Sequence, residues 1–304
     1  MSDFLRTPPG LPCRILLAGC GRLGTRLGLR LAGAGGEVFA LRRHTAALPA
    51  AFTSLAVDLR ERVRHDLPDV DAMVITLPPG TSGAVGRPEG YAASLRSLAA
   101  ALPRVPRLVV FVSSTRVFEG RTEHRALTEE DTPAPVTQRG RALYEGELLA
   151  TELFGAHIVR PAGIYGPGRE MLVRKVLDGT PVQYAKRTNR IHETDLVRLL
   201  ETVLRAGGPP RLLHAVDQGP APLGQVVTYI ARRLGVPAPP RLQPETPSGT
   251  VLSGARLLAV LGGLQYPTFE AGYGHLLANR HDESAPGHEH RAHDWLVLSE
   301  PQTS

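Results

Sequence analysis

Seven short, almost unbroken apolar runs recur along this chain between stretches of helical length, and that alternation limits the fold more than any other feature. The runs are CRILLAG (13–19), EVFAL (37–41), SLAVDL (54–59), DAMVITL (71–77), RLVVFVSS (107–114), AHIVRP (156–161) and RLLHAV (211–216). A strand with one wet face alternates apolar and polar residues; these do not, so both faces are expected to be covered. Helical stretches follow the first run (RLGTRLGLRLAGAG) and recur near 91–102, 137–154, 169–178, 194–206 and 222–234. Strand and helix in turn imply an α/β protein with a doubly wound parallel sheet of about seven strands.

With 304 residues, 42% of them hydrophobic, the chain has material for such a core and a smaller lobe besides. The division expected is a sheet domain over 13–216, with 169–192 contributing to a cleft, a small substrate-binding lobe over 217–280, and a polar tail over 281–304. PAPPRLQPETPSG (237–249) reads as a linker or surface loop. There is no internal repeat.

Composition narrows the classes of function. A net charge of +6 raises the question of nucleic acid, but the basic residues are scattered and lack interleaved aromatics. Lys175 and Lys186 are the only lysines, so the excess reflects a general use of arginine and no nucleic-acid partner is expected. No run approaches 18 apolar residues, and the first residues, MSDFLRTPPGLP, lack the pattern of a secretion signal. The expectation is a cytoplasmic protein without a membrane partner, with Cys13 and Cys20 as reduced thiols. His288, His290 and His293 have no framed acidic or Cys partners, so no metal site is expected.

Gly19-Cys20-Gly21-Arg22-Leu23-Gly24 places G-x-G-x-x-G directly after the first strand and at the opening of a helix. The first glycine permits a tight turn, the second lets a pyrophosphate approach the backbone, and the third allows close packing of helix on strand. The helix N-terminus then presents free N–H groups and a positive dipole to phosphate. This is the Rossmann arrangement for a dinucleotide. Arg42 and Arg43 end the second strand, 18 and 19 residues beyond Gly24, where an acidic residue would hold the ribose of NAD. Guanidinium groups match a 2′-phosphate, which favours NADP, with NAD as the alternative. Asp58 and Leu59 follow the third strand, where an adenine amino group would lie. Leu77, Pro78 and Pro79 end the fourth, and GTSGAVGRPEG (80–90) reads as a loop able to close over a ligand.

The segments GCGRLG, VDLRE, VITLPPG, VSSTRVFEG, LTEEDTPAP, VRPAGIYGPGR, NRIHETDLVRLL and SGARLLAVLGGLQYP occur in the order seen in extended short-chain dehydrogenases/reductases of the NAD-dependent epimerase/dehydratase type. The resemblance covers about residues 13–279, with RPAGIYGPGR (160–169) and SSTRVF (113–118) its most specific pieces. G-x-G-x-x-G in place of T-G-x-x-G-x-x-G, together with ITLP and PVTxxGR, is similar to the atypical subgroup that includes the bacterial YeeZ-like proteins. The resemblance implies a small-molecule substrate, cofactor contacts at Ser113, Arg141 and Pro161, and a homodimer through helices near 91–102 and 137–154.

It also implies a catalytic set. Ser114 takes the place of the hydroxyl that bonds the reacting carbonyl. The tyrosine that exchanges the proton and the lysine four residues later, which lowers its pKa, should lie in PVTQRGRALYEGELLA (135–150). Anchored on Pro135 and Glu147, those places hold Arg139 and Leu143. No tyrosine in the chain has a lysine four residues on. Tyr144 lies five residues from 139, about 140° around a helix, on another face. His192 titrates in the useful range and is a candidate substitute acid, although a structural histidine at the start of a helix suits it better. The functions to weigh are an NADP-dependent oxidoreductase or epimerase-like enzyme on a polar or sugar-like substrate, and an NADP-binding sensor without hydride chemistry.

Overall fold

The computed structural model describes residues 10–61, 63, 67–81, 88–206, 208–245 and 248–283. Each of the seven apolar runs forms a strand: β1 (Arg14–Ala18), β2 (Glu37–Arg42), β3 (Thr53–Ala56), β4 (Ala72–Ile75), β5 (Leu108–Val112), β6 (His157–Pro161) and β7 (Leu212–Ala215). All pair in parallel in one sheet, ordered β7-β6-β5-β4-β1-β2-β3. The chain runs outward from β1 through β2 to β3, then resumes at β4 on the other flank of β1. That reversal opens a crevice between the carboxyl ends of β1 and β4, the place where sheets of this kind hold ligands.

Eight helices are described: α1 (Arg22–Gly33), α2 (Ala92–Ala101), α3 (Gln138–Phe154), α4 (Met171–Leu177), α5 (Glu193–Arg205), α6 (Leu223–Leu234), α7 (Ala255–Leu261) and α8 (Phe269–Glu283). The last two were not separately legible in the sequence pattern. Apolar cores fill both faces of the sheet. One joins Leu16, Met73, Ile75 and Phe111 to α2 and α3; the other joins Ile15, Leu17 and Val74 to α1, α5 and α7. This two-sided cover is why the strands carry no polar alternation.

A third core forms the C-terminal lobe. It gathers Tyr165, Val173 and Val176 from before β7 with Val226, Ile230, Phe269 and Tyr273 from after it. The proline-rich segment expected as a linker or surface loop is a surface loop for most of its described length, held along 182–185. Leu242 N–H donates to Val182 O (2.9 Å), Tyr184 Oη–H to Pro239 O (2.6 Å) and Ala185 N–H to Glu245 Oε1 (2.8 Å). Prolines there cannot donate, but their carbonyls accept, and the Leu242 N–H and the Glu245 carboxylate complete the fastening. Among the described residues, no helix is long and apolar enough to cross a membrane. The 82–87 part of the glycine-rich loop and His288, His290 and His293 lie outside the described residues.

Candidate functional site

Because the strands are parallel, their carboxyl ends emerge on one edge, and the turns there carry the residues singled out above. Gly19 has φ +87°, and an added Cβ would lie 3.0 Å from Leu77 N and 3.1 Å from its Cα. Thr76 Oγ1–H donates to Gly19 O at 2.6 Å, binding the end of β4 to the turn. Glycine is required here both for the left-handed backbone and for the approach of Leu77. Gly21, the N-cap of α1, differs: an added Cβ meets nothing nearer than Gly19 O at 4.0 Å, and no side chain caps the helix. Open space therefore faces the first-turn N–H groups. Gly24 packs against Cys20 and Thr76, 3.4 and 3.6 Å from its would-be Cβ. Leu23 is buried against the sheet.

Arg22, the first helical residue, turns its side chain outward. Its Nη1–H donates to Pro167 O at 3.2 Å. The turn it reaches, Gly166–Arg169, is closed by Arg169 N–H to Gly166 O at 2.8 Å. Arg169 Nε–H donates to Glu193 Oε1 (2.8 Å), and Arg26 Nη1 lies 3.2 Å from Glu193 Oε2. The Glu193 side chain is wholly buried, so α1, α5 and this turn meet on one carboxylate.

On the other side of the glycine turn, Arg42 is half-buried at the end of β2, close enough to favour the Cys20 thiolate electrostatically; burial outweighs it and raises the Cys20 pKa. Arg43 is exposed. The Asp58 carboxylate is taken up by Arg60, with Nε at 3.0 Å and Nη2 at 2.5 Å, and that bonding holds its pKa down to about 2. Leu59 is buried in the core, Leu77 half-buried, Pro78 exposed and Pro79 half-buried.

Ser113 and Ser114 follow β5. Ser113 is buried with its hydroxyl unpartnered among the described residues. Ser114 is half-buried and caps a 3-10 turn over Thr115–Phe118, its Oγ accepting from Arg116 N–H at 3.2 Å. Its own O–H is left to donate. Glu119, which the sequence did not single out, locks that turn to the start of α3: Oε1 accepts from Thr137 N–H and Thr137 Oγ1–H, both at 2.6 Å. Just beyond, Arg139 is exposed, Leu143 is buried in the core and Tyr144 packs partly against it. Arg141 donates to Val136 O at 2.7 Å. Pro161 ends β6, buried beside Ala215.

His192 sits apart from these hydroxyls in the chain and caps α5, its Nδ1 accepting from Thr194 N–H at 3.2 Å. It is 1% exposed and lies between Tyr165, which it meets edge-on, and Tyr266, against which its ring is tilted by 41°. Burial, with the charges of His275 and Arg26 adding to it, pushes its pKa down to about 4. A neutral ring with Nδ1 accepting carries its proton on Nε2, which suits helix capping better than acid catalysis near pH 7. Asp217, also missed, lies just beyond β7, 4% exposed, with a pKa that burial raises to about 7.

The C-terminal lobe carries a groove of about 730 Å³ lined by Tyr184, Gln225, Tyr229, Arg232, Arg241 and Glu270. Arg241 lies 4.6 Å over the Tyr184 ring and is tethered to Glu245 at 3.0 Å. No cluster of side chains able to hold a metal ion occurs among the described residues.

Known proteins resemble the chain along most of its length. A model of the RmlD substrate binding domain matches residues 91–186. Protein YeeZ of Escherichia coli strain K12 is 30% identical over 274 residues, which span 84% of this chain and 96% of that protein. A solved protein of Methylobacillus flagellatus, assigned provisionally as an NAD-dependent epimerase/dehydratase, superposes with a TM-score of 0.76 at 31% identity, covering 88% of this chain and 99% of its own. The UDP-glucuronic acid 4-epimerase of Bacillus cereus, solved with UDP-glucuronic acid and NAD, superposes with a TM-score of 0.69 at 16% identity over 89% and 99% of the two chains. That last likeness is one of fold.

Proposed function

Because this chain belongs to the atypical short-chain dehydrogenases/reductases of the NAD-dependent epimerase/dehydratase type, in the YeeZ-like branch, we propose that it binds a nicotinamide dinucleotide in the crevice between β1 and β4. The observation that carries this is the contrast within the glycine turn: Gly19 is filled by Leu77, whereas Gly21 leaves open space before the uncapped N-terminus of α1. A diphosphate fits a site of that shape and charge. Arg42 and Arg43 would hold the 2′-phosphate, which makes NADP the preferred form and NAD the alternative.

The activity we assign is NADP-dependent oxidoreductase or epimerase-like chemistry on a polar or sugar-like small molecule. Hydride transfer is what the dinucleotide supplies when bound. Ser114, with its O–H available, would donate to the substrate carbonyl. Proton exchange would lack its usual device: a guanidinium is a poor general acid in the tyrosine's place at Arg139, and Leu143 is buried in the core and carries no charge. His192 is the remaining candidate acid, and its depressed pKa makes it a poor one. That same observation favours a second reading, an NADP-binding sensor without turnover.

Both readings require the dinucleotide. NADPH at about 100 times its dissociation constant is expected to stabilise the fold by about 2.7 kcal/mol, read as a rise in melting temperature; no shift with NADPH or NADP rejects both. Oxidation of NADPH by any member of a panel of carbonyl compounds and sugar nucleotides separates the enzyme from the sensor.

A further inference from the structure

Arg22 carries a positive charge at the wrong end of a helix. It is the first residue of α1, the first turn holds no acidic residue, and the helix dipole already places positive charge there. Its neighbours do not relieve it. Glu193, the carboxylate on which this turn and α1 meet, is engaged by Arg26 and Arg169, and no ion pair of Arg22 occurs among the described residues. Nη1 is tied to Pro167 O, while Nε and Nη2 have no partner among the described residues. The turn it touches is shaped to admit it. Gly168 has φ +72°, and an added Cβ would collide with Arg22 Nη1.

We propose that Arg22 bridges the diphosphate of the bound dinucleotide to the Gly166–Arg169 turn, one arm on Pro167 O and the spare donors on phosphate oxygen. This rests on the reading of the glycine turn as a dinucleotide site. An anion at the N-terminus of α1 removes the unfavourable pairing of cation and dipole, and a guanidinium offers two donor edges where an ammonium offers a point charge. The turn is anchored to α5 through Arg169 and Glu193, so the arm is held in place before the ligand arrives, which lowers the ordering cost of binding. Arg22 is thus a binding residue that ties the diphosphate site to a turn already fixed on α5.

The test measures dissociation constants by calorimetry on the full chain for wild type, Arg22→Gln, Arg22→Lys, Gly168→Ala and the Arg22→Gln/Gly168→Ala pair. NADPH affinity is expected to fall at least about tenfold in Arg22→Gln and nearly as far in Arg22→Lys. Gly168→Ala, which displaces the guanidinium, should lose a similar factor, and the pair should lose no more than either alone. Affinity for adenosine 2′-monophosphate, which has no diphosphate, should stay within about twofold in Arg22→Gln; a general loss of structure would lower both. Full affinity in Arg22→Lys, unchanged affinity in Arg22→Gln, or equal loss for adenosine 2′-monophosphate overturns the bridge. Should Gly168→Ala fail to fold, the two Arg22 variants decide alone. A wild type that binds no NADPH would instead overturn the dinucleotide site itself.

Discussion

Arg160 and Glu147 form a two-pronged ion pair inside the protein, Nε to Oε1 at 2.9 Å and Nη2 to Oε2 at 2.7 Å, with both side chains about 95% buried. The pair fastens α3 to the end of β6, and Arg160 also lies 5.1 Å over the Phe118 ring beside the serine turn. Glu147→Ala leaves a guanidinium unpaired in the interior and is expected to cost about 3–5 kcal/mol. Replacing both partners, Glu147→Leu with Arg160→Met, should cost much less. Denaturant titration measures both; equal losses would mean that the pair is not what Glu147 contributes.

Arg42→Ala with Arg43→Ala is expected to weaken NADPH by about 10–100-fold, as for loss of charge-assisted bonds to a phosphate. NADH, which lacks the 2′-phosphate, should change by no more than about threefold on the same basis. Equal weakening of the two dinucleotides removes the 2′-phosphate assignment.

Ser114→Ala removes both a hydroxyl donor and the cap of a 3-10 turn. Loss of the cap is expected to cost about 1 kcal/mol. If the chain turns over, kcat should fall by about 10²-fold or more while the dissociation constant for NADPH stays the same. A parallel fall in NADPH affinity would make Ser114 a structural residue.

Three buried groups shape stability against pH in opposite directions. His192 and His214 are pushed down to about 4 and about 3 by burial, from 6.5. The unfolded chain therefore binds more protons below about 6.5, and these two histidines cost stability as pH falls from there. Asp217 is raised from 3.8 to about 7, so the folded chain keeps a proton that the unfolded chain has released, and stability is lost as pH rises through that window. Asp217→Asn should gain on wild type as pH goes from about 5 to 8. Parallel profiles in urea titrations at the two pH values would show that Asp217 ionises freely in the fold.

How much of this was legible depended on sequence distance. The seven strands were readable because burial on both faces strips polar residues from a run, and each run declares that by itself. The glycine turn was readable for a like reason: its demands fall within six consecutive residues. The strand order is not written in any run, and α7 and α8 carry too short or too weak a period to stand out. At the site, what escaped was whatever joins distant segments. Arg22 was noticed for its backbone, but its side chain meets Pro167 across 145 residues. Glu119 and Asp217 look like ordinary acidic residues in the sequence; only packing reveals that one closes the start of α3 and the other is buried. The proline-rich segment reads as a loop from its composition, but composition does not show which backbone it is fastened to, because those bonds reach across about 60 residues.

The interior of the C-terminal lobe is contributed by chain on both sides of β7, with Tyr165, Val173 and Val176 before it and the helices α6 and α8 after it. Between those two helices the chain returns to the sheet, where Leu257 of α7 is buried. Such a lobe is not a module. A recombination event that cut after Val216 would split its apolar interior, and a hinge at one crossing would leave the other crossings to resist it. Change in a lobe built this way has to arise by replacing residues in place, since the lobe cannot be exchanged as a unit.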